Sequence, residues 1–268
     1  MSRVSVASPL KPLLEKAVSA IQGALPVYEG ECKRLRSTSA SDVDREAIHL
    51  LLLSIRHFEG LLSLAVVGDT RIPSAHAASR AILEVACKAL WVVDHNLTQE
   101  RNLRWLAHLE EELRVYERSA SHAPSSSPMA EHFRSVAETY RKQVLSIKEQ
   151  VAKGSKAPSI PKAHPLMQLA GVERFYPLYI YMSQFVHGGH SATWQFRGGA
   201  GLVSFGEEIV TERDWSIPVC AAWSVFSRCA DKTLRRCGKR ESTCLSQKSL
   251  ERIDLAIAKL GEEGSTLP

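Results

Sequence analysis

Hydrophobic positions along the chain recur at intervals of three and four rather than two. Leu13, Leu14, Ala17, Val18 and Ile21 form an apolar stripe that predicts a first helix over residues 10 to 35, opened by Pro12 and bent at Pro26. Ser37 to Ser41 is a polar break, after which Ser41 or Asp42 caps a second helix reaching Val67, with Asp44 and Glu46 in its first turn. The body of that helix is apolar on most sides, which suits the centre of a bundle. Pro73 and Ser74 begin a third helix that ends near Asp94, and Thr98 caps a fourth that ends near Ser119. After the loop from Ala123 to Pro128, a strongly polar fifth helix runs to about Lys153 and forms a hairpin, 98–153, with the fourth. Residues 154–165 combine glycine and proline and read as a linker. Two more helices, from Trp215 to Cys237 and from Ser246 to Leu260, close the chain.

Between the linker and those last helices, residues 173 to 191 read as a short helix with Pro177 near its start and Gly188 and Gly189 as its stop. Tyr179, Ser183 and His187 lie four apart on it and form a polar stripe, leaving Ile180, Met182, Phe185 and Val186 to the core. Residues 188–213 hold six glycines and read as an irregular insertion. Strands do not alternate with helices, so the expected fold is all-α: a multi-helix bundle in one domain, 1–268, with a glycine-rich insertion before the last two helices.

Composition changes this picture little. The 268 residues are 44% apolar and 24% charged, with a net charge of +5, so a polyanionic partner is compatible but not required. No apolar run approaches the roughly 20 residues that span a bilayer, and no signal peptide is evident, so the expectation is a cytoplasmic protein without a membrane partner. The six cysteines form no Cys-x-x-Cys pair, which disfavours a zinc ribbon or redox motif and makes them free thiols. No metal ligand set and no cofactor are expected; His187 and His190 lack a nearby Asp, Glu or Cys to complete one.

Three constellations could carry chemistry. On the third helix His76, Arg80, Glu84 and Lys88 follow one another at spacings of four, readable as a solvated face of ion pairs or as a groove presenting an Arg80–Glu84 pair. If this ladder faces the later one, Arg80, Glu84, Tyr179, Ser183 and His187 converge, with Glu84 held by Arg80 and orienting Ser183 or His187. Near the C-terminus Arg228, Lys232, Arg235 and Arg236 form a basic ridge that could meet RNA phosphates.

Arg80-Ala-Ile-Leu-Glu84 followed by Tyr179-x-x-x-Ser183-x-x-x-His187-Gly188 resembles a family of all-helical bacterial proteins of unknown function, over residues 45–95 and 165–190. The layout is also similar to HEPN domains, helical bundles of toxins, RNA-cutting enzymes and antiviral defence systems. That resemblance implies metal-independent RNA cleavage by an arginine and a histidine acting on the 2′-hydroxyl, four to six residues apart. The corresponding places before His187 hold Met182, Tyr181 and Ile180, and none is basic. Arg101-Asn102 with His108 does match the spacing and forms a second candidate pair; Arg71 with His76 also matches but is broken by Pro73. The expected function is therefore an RNA-acting or RNA-binding protein. The alternative is a non-catalytic helical module that binds a partner protein or a nucleotide through the Arg80–Glu84–His187 groove; RNA, a partner protein or a second copy of the chain are the partners expected.

Overall fold

The computed structural model describes residues 11–39, 41–67, 72–152, 154–189, 212–238 and 244–265. Among them the helices are α1 (Lys11–Thr38), α2 (Asp42–Val67), α3 (Ile72–Val93), α4 (Thr98–His122), α5 (Pro128–Gln150), α6 (Ala163–Ala170), a 3₁₀ turn (Glu173–Phe175), α7 (Tyr176–His187), α8 (Glu212–Arg236) and α9 (Gln247–Ser265). No described residue lies in a strand. The protein is all-α. The glycine-rich stretch expected over 188–213 falls almost wholly outside the described residues; Gly188 and Gly189 end α7, and residues 212 and 213 already belong to α8.

The chain divides into two compact units, residues 1–90 with 163–268, and residues 91–162. In the first, α2 packs against α1 and α8, and α9 packs against α1 and α8. The reason is apolar area. Ile48, Leu51, Ile55, Phe58, Leu61 and Leu62 lie on α2 at helical spacing and are fully buried. Burying each such side chain stabilises the fold by about 1.5–3 kcal/mol before entropy is charged against it. Tyr28, Phe58, Trp223 and Phe226 form the aromatic centre, with edge-to-face contacts such as Tyr28 on Phe226 at 5.3 Å. Burial and the neighbouring Asp231 carboxylate push the Tyr28 phenol well above its ordinary range. Asp231 also accepts the Cys244 backbone N–H at 3.0 Å, which ties the approach to α9 onto α8.

By length and composition α2 is apolar enough to cross a membrane, contrary to the expectation that nothing in the chain comes close, but half of its apolar window is buried among the other helices. Proline does not break α1 or α8, which carry it beyond their first turns. Pro26 lies on the exposed side of α1, where water can serve the carbonyl it leaves without a donor, and the helix continues because Leu25, Tyr28 and Cys32 are buried on the other side. Pro218 in α8 offers its own carbonyl to the Ser79 hydroxyl at 2.9 Å, a buried link from α3 to α8.

The second unit is an antiparallel hairpin. Leu106, Leu109, Leu113, Tyr116 and Ala120 on α4 face Ala130, Phe133, Ala137, Tyr140, Val144 and Ile147 on α5, both sets in alternating steps of three and four. Tyr116 stacks on Tyr140 at 5.5 Å, and Lys148–Glu110 and Arg141–Glu117 pair across the seam at 2.9 and 2.8 Å. Ser127 caps α5 by accepting the Ala130 N–H, with Pro128 in the first position. Thr98, expected as the cap of α4, is its first helical residue instead; Leu97 precedes it and offers no side-chain acceptor.

Two stretches of the expected organisation shift. Residues 163–165 are not linker but the first turn of α6, because Leu166, Met167 and Ala170 form a buried apolar face once the chain turns back onto the first unit. On α7, Ile180 and Val186 are each 44% exposed and only Met182 is buried, so the face expected in the core is largely uncovered among the described residues.

Candidate functional site

The candidate site lies where α7 meets α3, and its position depends on two helix ends. Gly171 follows α6 at φ +69°, and the N–H groups of Gly171 and Val172 bond back to the carbonyls of Gln168 and Met167. That is the left-handed stop glycine makes without strain. Lys232 from α8 donates to the Ala170 carbonyl at 2.8 Å and completes the cap. The chain then re-enters α7 through the 3₁₀ turn, with Tyr176 against His164 at 4.6 Å. Gly188 ends α7 at φ +65°, which leaves His187 in the last turn with its ring exposed.

Arg80 is the hub of the cluster. Its Nη2 donates to Glu84 Oε1 at 2.8 Å and to the Tyr179 hydroxyl at 3.2 Å, and the Tyr179 O–H donates to the same Glu84 oxygen at 2.5 Å. Nη1 reaches His187 Nε2 at 3.4 Å, where the guanidinium must donate and the imidazole accept, in the tautomer carrying its proton on Nδ1. The guanidinium carbon also sits 5.3 Å from the Tyr179 ring centre. The Arg80 side chain is 18% exposed and Glu84 42%, so the triangle stands at a rim, half out of water. Desolvation would lower the Arg80 pKa, but the Tyr179 hydrogen bond and the Glu84 charge outweigh it and the net direction is upward. Burial, then the bond to Glu84, raises the Tyr179 phenol. Arg80 therefore remains a cation and Tyr179 a neutral donor throughout the ordinary pH range.

Ser183 is not part of this arrangement. Its hydroxyl donates to the Tyr179 carbonyl one turn back at 2.7 Å, the habitual alternative for a serine inside a helix. Nor does Glu84 orient His187, as the sequence suggested; it takes Tyr179, and Arg80 takes the histidine. The solvated-face reading of the α3 ladder is overturned at His76, which is 1% exposed, stacked on Phe185 at 4.2 Å and edge-on to Tyr181 at 5.3 Å. Desolvation drives its pKa down to about 4, so it is a neutral core ring.

The other nominated residues lie elsewhere. Arg101, Asn102 and His108 are all on α4 in the second unit; His108 is buried, with Nδ1 4.0 Å from Glu112. The basic ridge on α8 is not a single solvated face, because Lys232 is committed to the end of α6, while Arg228, Arg235 and Arg236 are exposed. His190 lies outside the described residues. Among the described residues no group of three His, Cys, Asp or Glu could hold a metal, and the cysteines are free thiols, with Cys87 and Cys229 3.7 Å apart in the core.

Spacing along one helix could not reveal the Arg80–His187 contact. The two residues are 107 positions apart and meet only because α6 and its glycine stop fold α7 back onto α3. The available signal was the pair of four-residue ladders.

Residues 45–199 match a family of unknown function (DUF5677), and the chain belongs to that family. The match includes Arg80, Glu84, Tyr179 and His187. No curated protein and no solved structure is similar to the chain.

Proposed function

We propose that this member of the DUF5677 family acts on RNA, in the manner of a HEPN-like ribonuclease of a toxin or defence system. The supporting observation is the Arg80–His187 contact at 3.4 Å, an arginine and an imidazole side by side at an open rim. In this reading a phosphate oxygen of the scissile linkage draws Arg80 Nη1 off the imidazole, and the freed lone pair of His187 Nε2 removes the proton of the adjacent 2′-hydroxyl. The 2′-oxygen attacks phosphorus, the bond from phosphorus to the 5′-oxygen breaks, that oxygen takes a proton from solvent water, and the products end in a 2′,3′-cyclic phosphate and a 5′-hydroxyl. Tyr179 and Glu84 are positioning residues: together they fix the Nη2 side of the guanidinium, so that Nη1 alone is offered outward. The exposed Arg228, Arg235 and Arg236 would hold flanking phosphates.

Purified full-length protein incubated with total RNA, with and without chelator, tests this. Cleavage to cyclic-phosphate ends is expected in both conditions. His187→Ala and Arg80→Ala should each lower it at least about 100-fold, the scale of a lost acid–base group, with an unchanged melting temperature for His187→Ala. An intact RNA pool with the native protein overturns the catalytic reading. One observation favours a second reading in that event: Glu84 already neutralises much of the Arg80 charge, as suits a module that holds a partner or nucleotide without cutting it. Retained binding of a nucleotide or RNA, lost in Arg80→Ala, would support it.

A further inference from the structure

A groove of about 310 Å³ runs between α1 and α9, in the first unit and formed by none of the candidate-site residues. Ala20, Ala24, Ile253 and Ala256 make its walls apolar. Lys16 and Ser19 from α1 and Ser249 and Arg252 from α9 supply its polar groups. Among the described residues no acidic side chain lines it, and neither Lys16 nor Arg252 has a carboxylate partner. Elsewhere on the surface Arg34, Arg56 and Arg141 are each held by a glutamate, so the two cations beside this groove keep a charge that those arginines have neutralised. Gly23 lies on the same stripe of α1, and a Cβ there would meet nothing within 4 Å. A glycine inside a helix is unfavourable relative to alanine, and here its missing side chain leaves the groove open.

We infer that this groove binds a small amphipathic anion, a carboxylate or phosphate carried on a short apolar body. The volume is at the lower end of small-molecule sites and matches a ligand of about a dozen heavy atoms. The apolar walls disfavour a bare inorganic ion, whose hydration they could not replace. Lys16 and Arg252 would hold the anionic head, the two serine hydroxyls would complete its hydrogen bonds, and the alanine and isoleucine walls would cover the tail.

Isothermal titration calorimetry of the full chain with octanoate, octyl phosphate, octylammonium and inorganic phosphate tests the assignment. One or both of the alkyl anions should bind saturably at one site, and which one binds tells a carboxylate head from a phosphate head. Octylammonium and inorganic phosphate should not bind. Gly23→Leu should abolish binding without lowering the melting temperature. The double variant Lys16→Glu, Arg252→Glu should lose the alkyl anions and gain octylammonium, which keeps the test decisive if the leucine variant folds poorly. The assignment is overturned if neither alkyl anion binds at millimolar concentration, if octylammonium binds the native protein equally well, or if both variants retain the anion.

Discussion

Tyr179 does two things with one hydroxyl: it accepts from Arg80 and donates to Glu84. Tyr179→Phe keeps the ring against Tyr176 and the Arg80–Glu84 pair but removes both bonds, and at this half-exposed position the cost is expected to be about 1 kcal/mol in a urea unfolding curve. Its effect on RNA cleavage should be smaller than that of His187→Ala, since the phenol positions the guanidinium and does not touch substrate. His76 makes a pH-dependent contribution. Its folded value of about 4 lies below the ordinary 6.5, so between these values the unfolded chain binds the extra proton. Stability is therefore full above pH 6.5 and is lost as the pH falls through the interval to 4, by about 3 kcal/mol in all. Unfolding midpoints measured from pH 7 to pH 4 should show this loss, and His76→Phe, which can stack on Phe185 without titrating, should remove that part of the slope.

Helix ends, more than helix bodies, decide where the cluster forms. Lys232 stands in a run of basic residues, yet its ammonium serves the last carbonyl of α6. Lys232→Ala should lower stability by about 1 kcal/mol, one part-buried hydrogen bond, whereas Arg235→Ala, exposed on the same helix, should leave thermal unfolding unchanged. If both variants melt alike, the cap carries no weight and α7 is held by other contacts. Gly188 is a parallel case. At φ +65° with open space around it, Gly188→Ala meets no neighbour, so its expected cost of about 1 kcal/mol is backbone strain alone. Relief of that strain would re-aim the last turn that carries His187, so the expected outcome is a larger loss of RNA cleavage than of stability.

At the scale of the molecule, the stretch after α5 separates two units whose interiors are built differently. One is a bundle around an aromatic centre, the other a two-helix seam. Residues 154–162 carry no helix, and Lys156 and Lys162 are exposed, so limited trypsin digestion should cut there before the helices are degraded. A far-ultraviolet circular dichroism spectrum should be dominated by helix; a larger strand signal would contradict the fold.

Element type could be read along the chain because it depends on local periodicity. The stripes of α1 and α2, the Ser41 start, the Ser127–Pro128 start and the Gly188 stop are short-range events of sterics and hydrogen bonding, and the residues that cause them lie within a turn of where they act. Helix α6 was missed because eight residues with two polar flanks and a proline resemble a linker until something buries their apolar side. Which ladder residue faces water was equally illegible: His76 and Arg80 are one turn apart on α3, yet the first is a core ring and the second a rim cation, according to where Phe185 and Tyr179 fall. Sequence alone thus determined an all-helical chain, its main breaks and the two polar ladders. Tertiary structure alone decided that Arg80 would meet His187 and that Lys232 would cap α6, because each is a contact between residues whose separation along the chain carries no information about their separation in space.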